Sequence, residues 1–178
     1  AATDLSLPIE VVAVTEGGRS RPLNAGLGHA TGDYVCFLDD DDLALPDWLG
    51  AFDRAIQSSP GTTPRARTGV QPWATDGGEE PLRAEGRVEE PFAPEFDLLA
   101  HCSQNQTPIC SVAFPRHVLE HFGFRFAEDL PVFEDWEFLM RVAPLTGVTS
   151  INAQTSLYRR LDHGNADTAE DQAVSALP

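Results

Sequence analysis

The amino-acid sequence predicts an α/β domain, a three-layer α/β/α sandwich with a mixed, mostly parallel central sheet. Residues 34–38 are nearly continuously apolar, which is typical of a parallel strand covered on both faces. Residues 8–14 are rich in Val and Ile and predict another strand. The helical spacing of residues 23–30, between these two segments, indicates a βαβ unit.

The remaining elements follow from local pattern. A helix begins at Pro46, where a missing N–H costs nothing, and stops at residues 58–61. Residues 60–94 are rich in Pro, Gly, Glu and Arg and predict a variable loop region, in which 69–73 could form a short strand. Beyond this region, we expect helices over 96–102, 115–122 and 134–143 and strands over 109–114, 148–151 and 155–158.

Length and composition limit the function. The chain has 178 residues, which we divide into one domain over 1–165 and an acidic, frayed tail over 166–178. A formal net charge of −16 predicts a surface that repels nucleic acid, so we expect no nucleic-acid partner. No apolar run is long enough to predict an integral membrane segment. Three cysteines without a Cys-x-x-Cys motif favour a reducing compartment, and we expect a cytoplasmic location.

A run of four aspartates, Asp39, Asp40, Asp41 and Asp42, follows the apolar strand at 34–38 directly. Burying ionised carboxylates is costly unless a cation neutralises them. Oxygen ligands suit Mg²⁺ or Mn²⁺, and Mg²⁺ usually binds together with substrate phosphates. Because ligands of open α/β sheets bind at the carboxyl ends of strands, the run predicts a metal–diphosphate site. The alternative is a solvated acidic turn.

A second acidic pair, Glu134 and Asp135, stands at the start of a predicted helix. One interpretation is helix capping, because acids at a helix N-terminus are stabilised by the helix dipole. The other interpretation is a general base, since the helix end orients the carboxylate and keeps it ionised.

A rival site would use zinc. His and Cys side chains occur close together in sequence at His101, Cys102, Cys110, His117 and His121. Their spacing matches no common zinc finger. The other interpretation is a pair of exposed helix histidines and two packed cysteines.

Three segments together resemble family 2 glycosyltransferases: residues 21–42, residues 114–124, and the run Glu134-Asp135-Trp136. The resemblance covers about residues 19–165. It implies a GT-A fold, a nucleotide-diphosphate sugar donor, a saccharide or other hydroxyl acceptor, and inverting transfer. It also implies Mg²⁺ or Mn²⁺ bound by a DxD motif. The leading prediction is therefore an inverting, metal-dependent glycosyltransferase. The alternatives are a degenerate glycosyltransferase-like binding module without turnover and an acidic Ca²⁺-binding domain.

The resemblance implies roles for the acidic residues. Asp39, Asp40 and Asp41 match the DxD motif, with Asp41 and Asp39 as metal ligands and Asp39 and Asp40 beside the donor. Asp135 matches the general base, and Glu134 is its usual neighbour.

The resemblance also implies roles for residues outside the acidic runs. Arg21 and Asn24 are expected to contribute to donor binding. His163, in the closing segment of the family, is expected to reach the metal and diphosphate.

The portion of the family that reads the nucleobase has no counterpart in this sequence. Aligning residues 8–14 with the third strand of the family predicts an N-terminally truncated member. An incomplete sheet edge would favour a homo-oligomer, since exposed edges invite pairing.

Overall fold

The computed structural model describes residues 8–74 and 83–161. The tail at 166–178 therefore lies outside the described residues. The elements, in chain order, are α1 Ser20–His29, β1 Tyr34–Cys36, β2 Leu43–Ala44, α2 Trp48–Ser58, β3 Thr63–Ala74, β4 Arg83–Ala84, α3 Leu98–His101, β5 Ala113–Pro115, α4 Arg116–Phe122, α5 Glu134–Thr146 and β6 Val148–Leu161. This order of helices and strands confirms the α/β class.

The strands form two ladders. Strands β1 and β5 pair antiparallel, with Val35 opposite Phe114. The second ladder has the order β2-β6-β3-β4, in which the long β3–β6 pair is parallel and the short outer pairs are antiparallel. A bridge between Arg65 and Val112 joins the two ladders. The sheet is therefore mixed, and its parallel part is the β3–β6 pair. The expectation that β1 pairs with a parallel strand is wrong within the described residues.

Side chains of β1 alternate between two layers. Val35 belongs to the larger core cluster, together with Phe114 of β5 and Phe138 of α5, so this face of β1 is covered by α5. Tyr34 and Cys36 point the other way and pack in a second cluster around Phe52 of α2. Because strand side chains alternate between faces, this short strand is covered by helices on both sides. The three-layer arrangement follows.

A group of buried phenylalanines supports the end of β1. Phe37, one residue beyond β1, makes edge contacts with Phe114 and Phe126, at ring-centroid distances of 6.3 and 5.1 Å. Phe126 stacks on Phe138 of α5 at 4.1 Å. The point where the chain leaves the sheet is therefore connected, through Phe126, to the helix that begins with Glu134.

Residues 8–14 do not form the predicted strand. The structure places them outside any helix or strand, with Ile9 and Val11 88% and 89% exposed. A β-branched composition favours a strand only where a neighbouring strand supplies hydrogen bonds and a packing surface. The helix after this segment is confirmed, and it begins at Ser20 rather than Leu23.

Residues 63–74 form β3 and are mostly buried, so the prediction of a loop over 60–94 is wrong for residues 63–68, and the possible strand over 69–73 is confirmed as part of β3. Because this segment contains many polar and proline residues, its composition predicts a loop. Arg65 is only 1% exposed, and its guanidinium donates hydrogen bonds to the carbonyls of Ala93 and Gln106, at 2.6 and 2.7 Å. Burial of such a residue depends on partners distant in sequence, which local composition does not reveal.

The C-terminal half follows the predicted order with adjusted bounds. Residues 109–111 form a 3-10 turn before β5, instead of the start of a strand. Helix α4 ends at Gly123 in the left-handed conformation, as expected for a C-terminal glycine. The two strands predicted over 148–151 and 155–158 are one strand, β6, whose register against β3 is interrupted near Arg67.

Among the described residues, no helix combines the length and apolar character needed to span a bilayer.

Candidate active site

A cavity of about 280 Å³ lies between the end of β1 and the beginning of α5. Its lining combines acidic, basic and apolar side chains: Arg19, Pro22, Leu23, Asp39, Asp40, Asp41, Ile109, Glu134 and Asp135. The two acidic segments, more than ninety positions apart in the chain, therefore share one cavity. The structure brings together the predicted DxD residues and the predicted base.

The aspartates form a tight turn at the end of β1. The N–H of Asp42 donates to the carbonyl of Asp39 at 3.1 Å, which places Asp40 and Asp41 at the centre of the turn. Burial raises the pKa of Asp39, and the neighbouring carboxylates of Asp41, Glu134 and Asp40 raise it further, whereas Arg19 opposes them. A bound cation would relieve this repulsion between like charges.

Asp42 points inward, away from the cavity. It is only 7% exposed, and burial raises its pKa from 3.8 to about 6, against the opposing effect of hydrogen bonds from Cys110 and the N–H of Arg159. The Cys110 thiol is fully buried, and burial, followed by the nearby Asp42, raises its pKa well above the usual range. Asp42 therefore serves to anchor the turn.

Helix α5 begins at the cavity, and the residue before it has a strained backbone conformation. Phe133, the residue before Glu134, has a φ of 66°, in the left-handed region that bulky residues rarely adopt. Glu134 is 3% exposed and accepts a hydrogen bond from Arg19 Nε at 2.6 Å. Its second oxygen is buried and makes no hydrogen bond within the described part of the chain. Asp135 is half-buried and accepts from the N–H of Trp136 at 2.6 Å.

An arginine that sequence reasoning did not select, Arg159, holds the turn from β6. Its side chain donates to the backbone carbonyls of Asp40, at 3.1 Å, and Asp41. The same guanidinium lies over the ring of Trp73, 5.2 Å from its centroid. The signal in the sequence is that Arg159 belongs to the same closing segment as His163.

Two predicted donor-binding residues lie outside the cavity lining. The amide of Asn24 makes two hydrogen bonds with the backbone of Phe126, at 2.8 and 3.0 Å. Arg21 pairs with Glu128 at 3.1 Å. These contacts join α1 to the segment before α5, and a role in donor binding stays a prediction for both residues. Arg19 is the basic residue that sequence reasoning missed in the cavity. His163 lies outside the described residues.

The carboxylate oxygens that line the cavity are suitable ligands for a hard divalent cation. Within residues 8–74 and 83–161, no three His, Cys, Asp or Glu side chains are grouped closely enough to form a complete metal site. Mg²⁺, however, uses one or two carboxylates together with water and substrate phosphates. The carboxylates of Asp39 and Asp41 offer only oxygen ligands and suit such an ion, in a cavity where burial and then neighbouring carboxylates raise the pKa of Asp39.

The zinc interpretation does not fit the geometry. His101 is buried, and its ring makes hydrogen bonds with Thr107 and with the carbonyl of Asp97. Cys110 is buried and Cys102 is exposed, so these side chains do not converge among the described residues.

Comparisons with known proteins support the resemblance. Residues 1–79 match the family model described as Glycosyl transferase family 2. The search of curated proteins finds no match. The structure is similar to that of S. aureus TarS 1–349 in complex with UDP-GlcNAc, with a TM-score of 0.59 and 20% identity over 94% of this chain and 44% of that one. For the complex of TarS 1–349 with UDP, the TM-score is 0.55 and the identity 21%, over 80% and 40% of the two chains. The GT-A fold is thereby confirmed. The chain spans less than half the length of these structures.

Proposed function

We propose that this domain transfers a sugar from a nucleotide-diphosphate sugar to an acceptor hydroxyl, with inversion at the anomeric carbon. The observation that carries the proposal is that one cavity is lined by both Asp41 and Asp135. The family match over residues 1–79 and the GT-A fold support a glycosyltransferase role. Since TarS has been crystallised with UDP-GlcNAc and with UDP, uridine nucleotides are the first donors to test.

The acidic turn provides the donor side of this proposal. Asp41 and Asp39 would hold Mg²⁺ or Mn²⁺, and Asp40 would lie beside the donor. The contribution of the ion, when bound, is to offset negative charge on the departing diphosphate. The carboxylates alone would repel a diphosphate, so donor binding should depend on a divalent cation.

Asp135 provides the acceptor side. Its position in the first turn of α5 favours the ionised carboxylate, which is the form that can accept a proton. As the acceptor oxygen forms its bond to the anomeric carbon, Asp135 would take the hydroxyl proton while the bond to the diphosphate breaks. Arg19 compensates the charge of the neighbouring Glu134, so that two adjacent carboxylates are tolerated.

The experiment combines titration calorimetry with a transfer assay on the full chain. UDP and UDP-GlcNAc are titrated with and without Mn²⁺, and transfer is measured with a panel of hydroxyl acceptors. We expect Mn²⁺-dependent nucleotide binding. Asp135→Asn should retain this binding and lose turnover by about 10²- to 10⁴-fold. Asp129→Asn, at an exposed position before α5, is the matched control and should behave as the parent chain.

Two outcomes would overturn the proposal. Turnover of Asp135→Asn close to that of the parent chain would refute the assignment of the base. Failure of the parent chain to bind any nucleotide with Mn²⁺ would refute donor binding and favour a binding module without turnover.

A further inference from the structure

We propose that Arg159 is a positioning residue that holds the acidic turn in the conformation that binds the metal ion. The inference rests on the proposed function, because it assigns a role at the same site. Arg159 does not line the cavity, so its action on the ion would be exerted through the backbone of the turn.

Arg159 makes hydrogen bonds with three successive residues of the turn, two through its side chain and one through its backbone. The guanidinium of Arg159 donates to the carbonyls of Asp40 and Asp41, and its backbone N–H donates to the carboxylate of Asp42 at 3.2 Å. Hydrogen bonds that involve a charged group are stronger than neutral ones. The turn is therefore held through its main chain and through its inward-facing carboxylate.

The choice of carbonyls as acceptors matters for the chemistry. An arginine that paired with the carboxylates of Asp40 or Asp41 would compete with a metal ion for the same oxygens. Arg159 binds the backbone oxygens of these two residues instead, and its positive charge still offsets the repulsion within the run of aspartates. The arrangement stabilises the turn and leaves the side chains of the central residues available to the cavity.

The position of Arg159 is itself fixed by the sheet. Strand β6 pairs with β2, immediately after the turn, with Leu43 opposite Leu157. On its other side β6 pairs with β3, whose Trp73 supports the guanidinium from one face. The turn leads directly into β2, and Arg159 belongs to β6, which pairs with β2. This pairing restricts the movement of the turn relative to Arg159.

A direct contact of Arg159 with the diphosphate of the donor is the competing role, and the two roles differ in what they predict for the ion alone. A positioning residue affects Mn²⁺ affinity in the absence of nucleotide, whereas a phosphate ligand affects nucleotide affinity only.

The test measures Mn²⁺ binding by electron paramagnetic resonance, first with Mn²⁺ alone and then with UDP. Loss of a residue that supports metal ligands typically weakens metal binding, so we expect Arg159→Ala to lower Mn²⁺ affinity by about 10- to 100-fold without UDP. Arg159→Lys, which keeps the charge but loses the planar fork, should recover only part of this loss. Arg160→Ala removes the same charge from the exposed neighbouring position and should leave the affinity unchanged.

Thermal unfolding of each variant identifies the fraction folded, and affinities are compared for folded protein only. Unchanged Mn²⁺ affinity in folded Arg159→Ala overturns the inference, and so does an equal loss in Arg160→Ala. A loss that occurs only when UDP is present also overturns it, in favour of the phosphate contact. Absence of Mn²⁺ binding by the parent chain is a different result, because it refutes the metal site of the proposed function itself.

Discussion

Arg19 and Glu134 are 115 positions apart in sequence, and their side chains meet at 2.6 Å in the lining of the cavity. Glu134 is almost completely buried, whereas Arg19 is 45% exposed. The pair joins the start of α1 to the start of α5. The positive charge of Arg19 compensates the negative charge of Glu134, which lines the cavity together with four other acidic residues.

Arg19→Ala should destabilise the chain. The substitution leaves the Glu134 carboxylate buried without its cation, and an unsatisfied buried charged group costs about 1–3 kcal/mol or more. The measurement is the free energy of unfolding in urea at pH 7. Arg21→Ala is the control, because its ion pairs are exposed and should contribute about 0–1 kcal/mol. A smaller effect at Arg19 than at Arg21 would contradict this account, and adding Glu134→Gln to Arg19→Ala should restore part of the loss.

Asp42 should make stability depend on pH. Its pKa is about 6 in the folded chain and 3.8 ordinarily, so the folded state binds a proton more readily than the unfolded state. The free energy of unfolding should therefore fall as pH rises from about 4 to about 6, by about 3 kcal/mol from this group. Asp42→Asn should remove this fall, and the quantity to compare is the difference between parent and variant across that range. Parallel pH profiles for the two proteins would show that Asp42 does not titrate as described.

Gly69 should not tolerate a larger side chain. A Cβ at this position would lie 2.4 Å from Val88 Cγ1 and 2.7 Å from Gln154 Nε2, so neighbouring side chains would have to move. We expect Gly69→Ala to reduce the free energy of unfolding by about 1–3 kcal/mol, as overpacking usually does. Gly28→Ala in α1, where a Cβ meets nothing within 4 Å, is the control and should stabilise by about 0.5–1 kcal/mol. Equal stability of the two variants would mean that the β3–β6 surface is looser than the structure indicates.

Mn²⁺ together with UDP should raise the thermal unfolding midpoint, because a ligand that binds the folded state stabilises it. Asp41→Asn should abolish most of this rise while leaving the midpoint without ligand within a few degrees of the parent value. Asp53→Asn, on the exposed face of α2, removes the same charge and should retain the full rise. A normal ligand-induced rise in Asp41→Asn would exclude Asp41 as a ligand of the ion.

Several features could be predicted because their causes are local. A run of apolar residues followed by four aspartates indicates a strand that ends in an acidic turn, and the structure has β1 and this turn at those residues. Glu134 and Asp135 were placed correctly at the start of a helix, since acids in the first turn interact favourably with the helix dipole. The glycine that ends α4 belongs to the same group of short-range signals.

Other features were decided only by tertiary structure. The first half of β3, residues 63–68, was predicted as a loop, because burial of a residue such as Arg65 depends on partners far along the chain. The composition of residues 8–14 predicts a strand, yet no described strand forms β-sheet hydrogen bonds with them. Hydrogen bonding and burial between distant segments override local preference in both cases.

The amino-acid sequence by itself indicated the acidic residues that line the cavity and the kinds of element on which they stand. Tertiary structure decided which cations accompany them: Arg19 at Glu134 and Arg159 at the backbone of the turn, instead of Arg21. The physical reason is that the composition of a short segment sets its own conformation, whereas charge compensation is a pairwise property of segments more than a hundred residues apart.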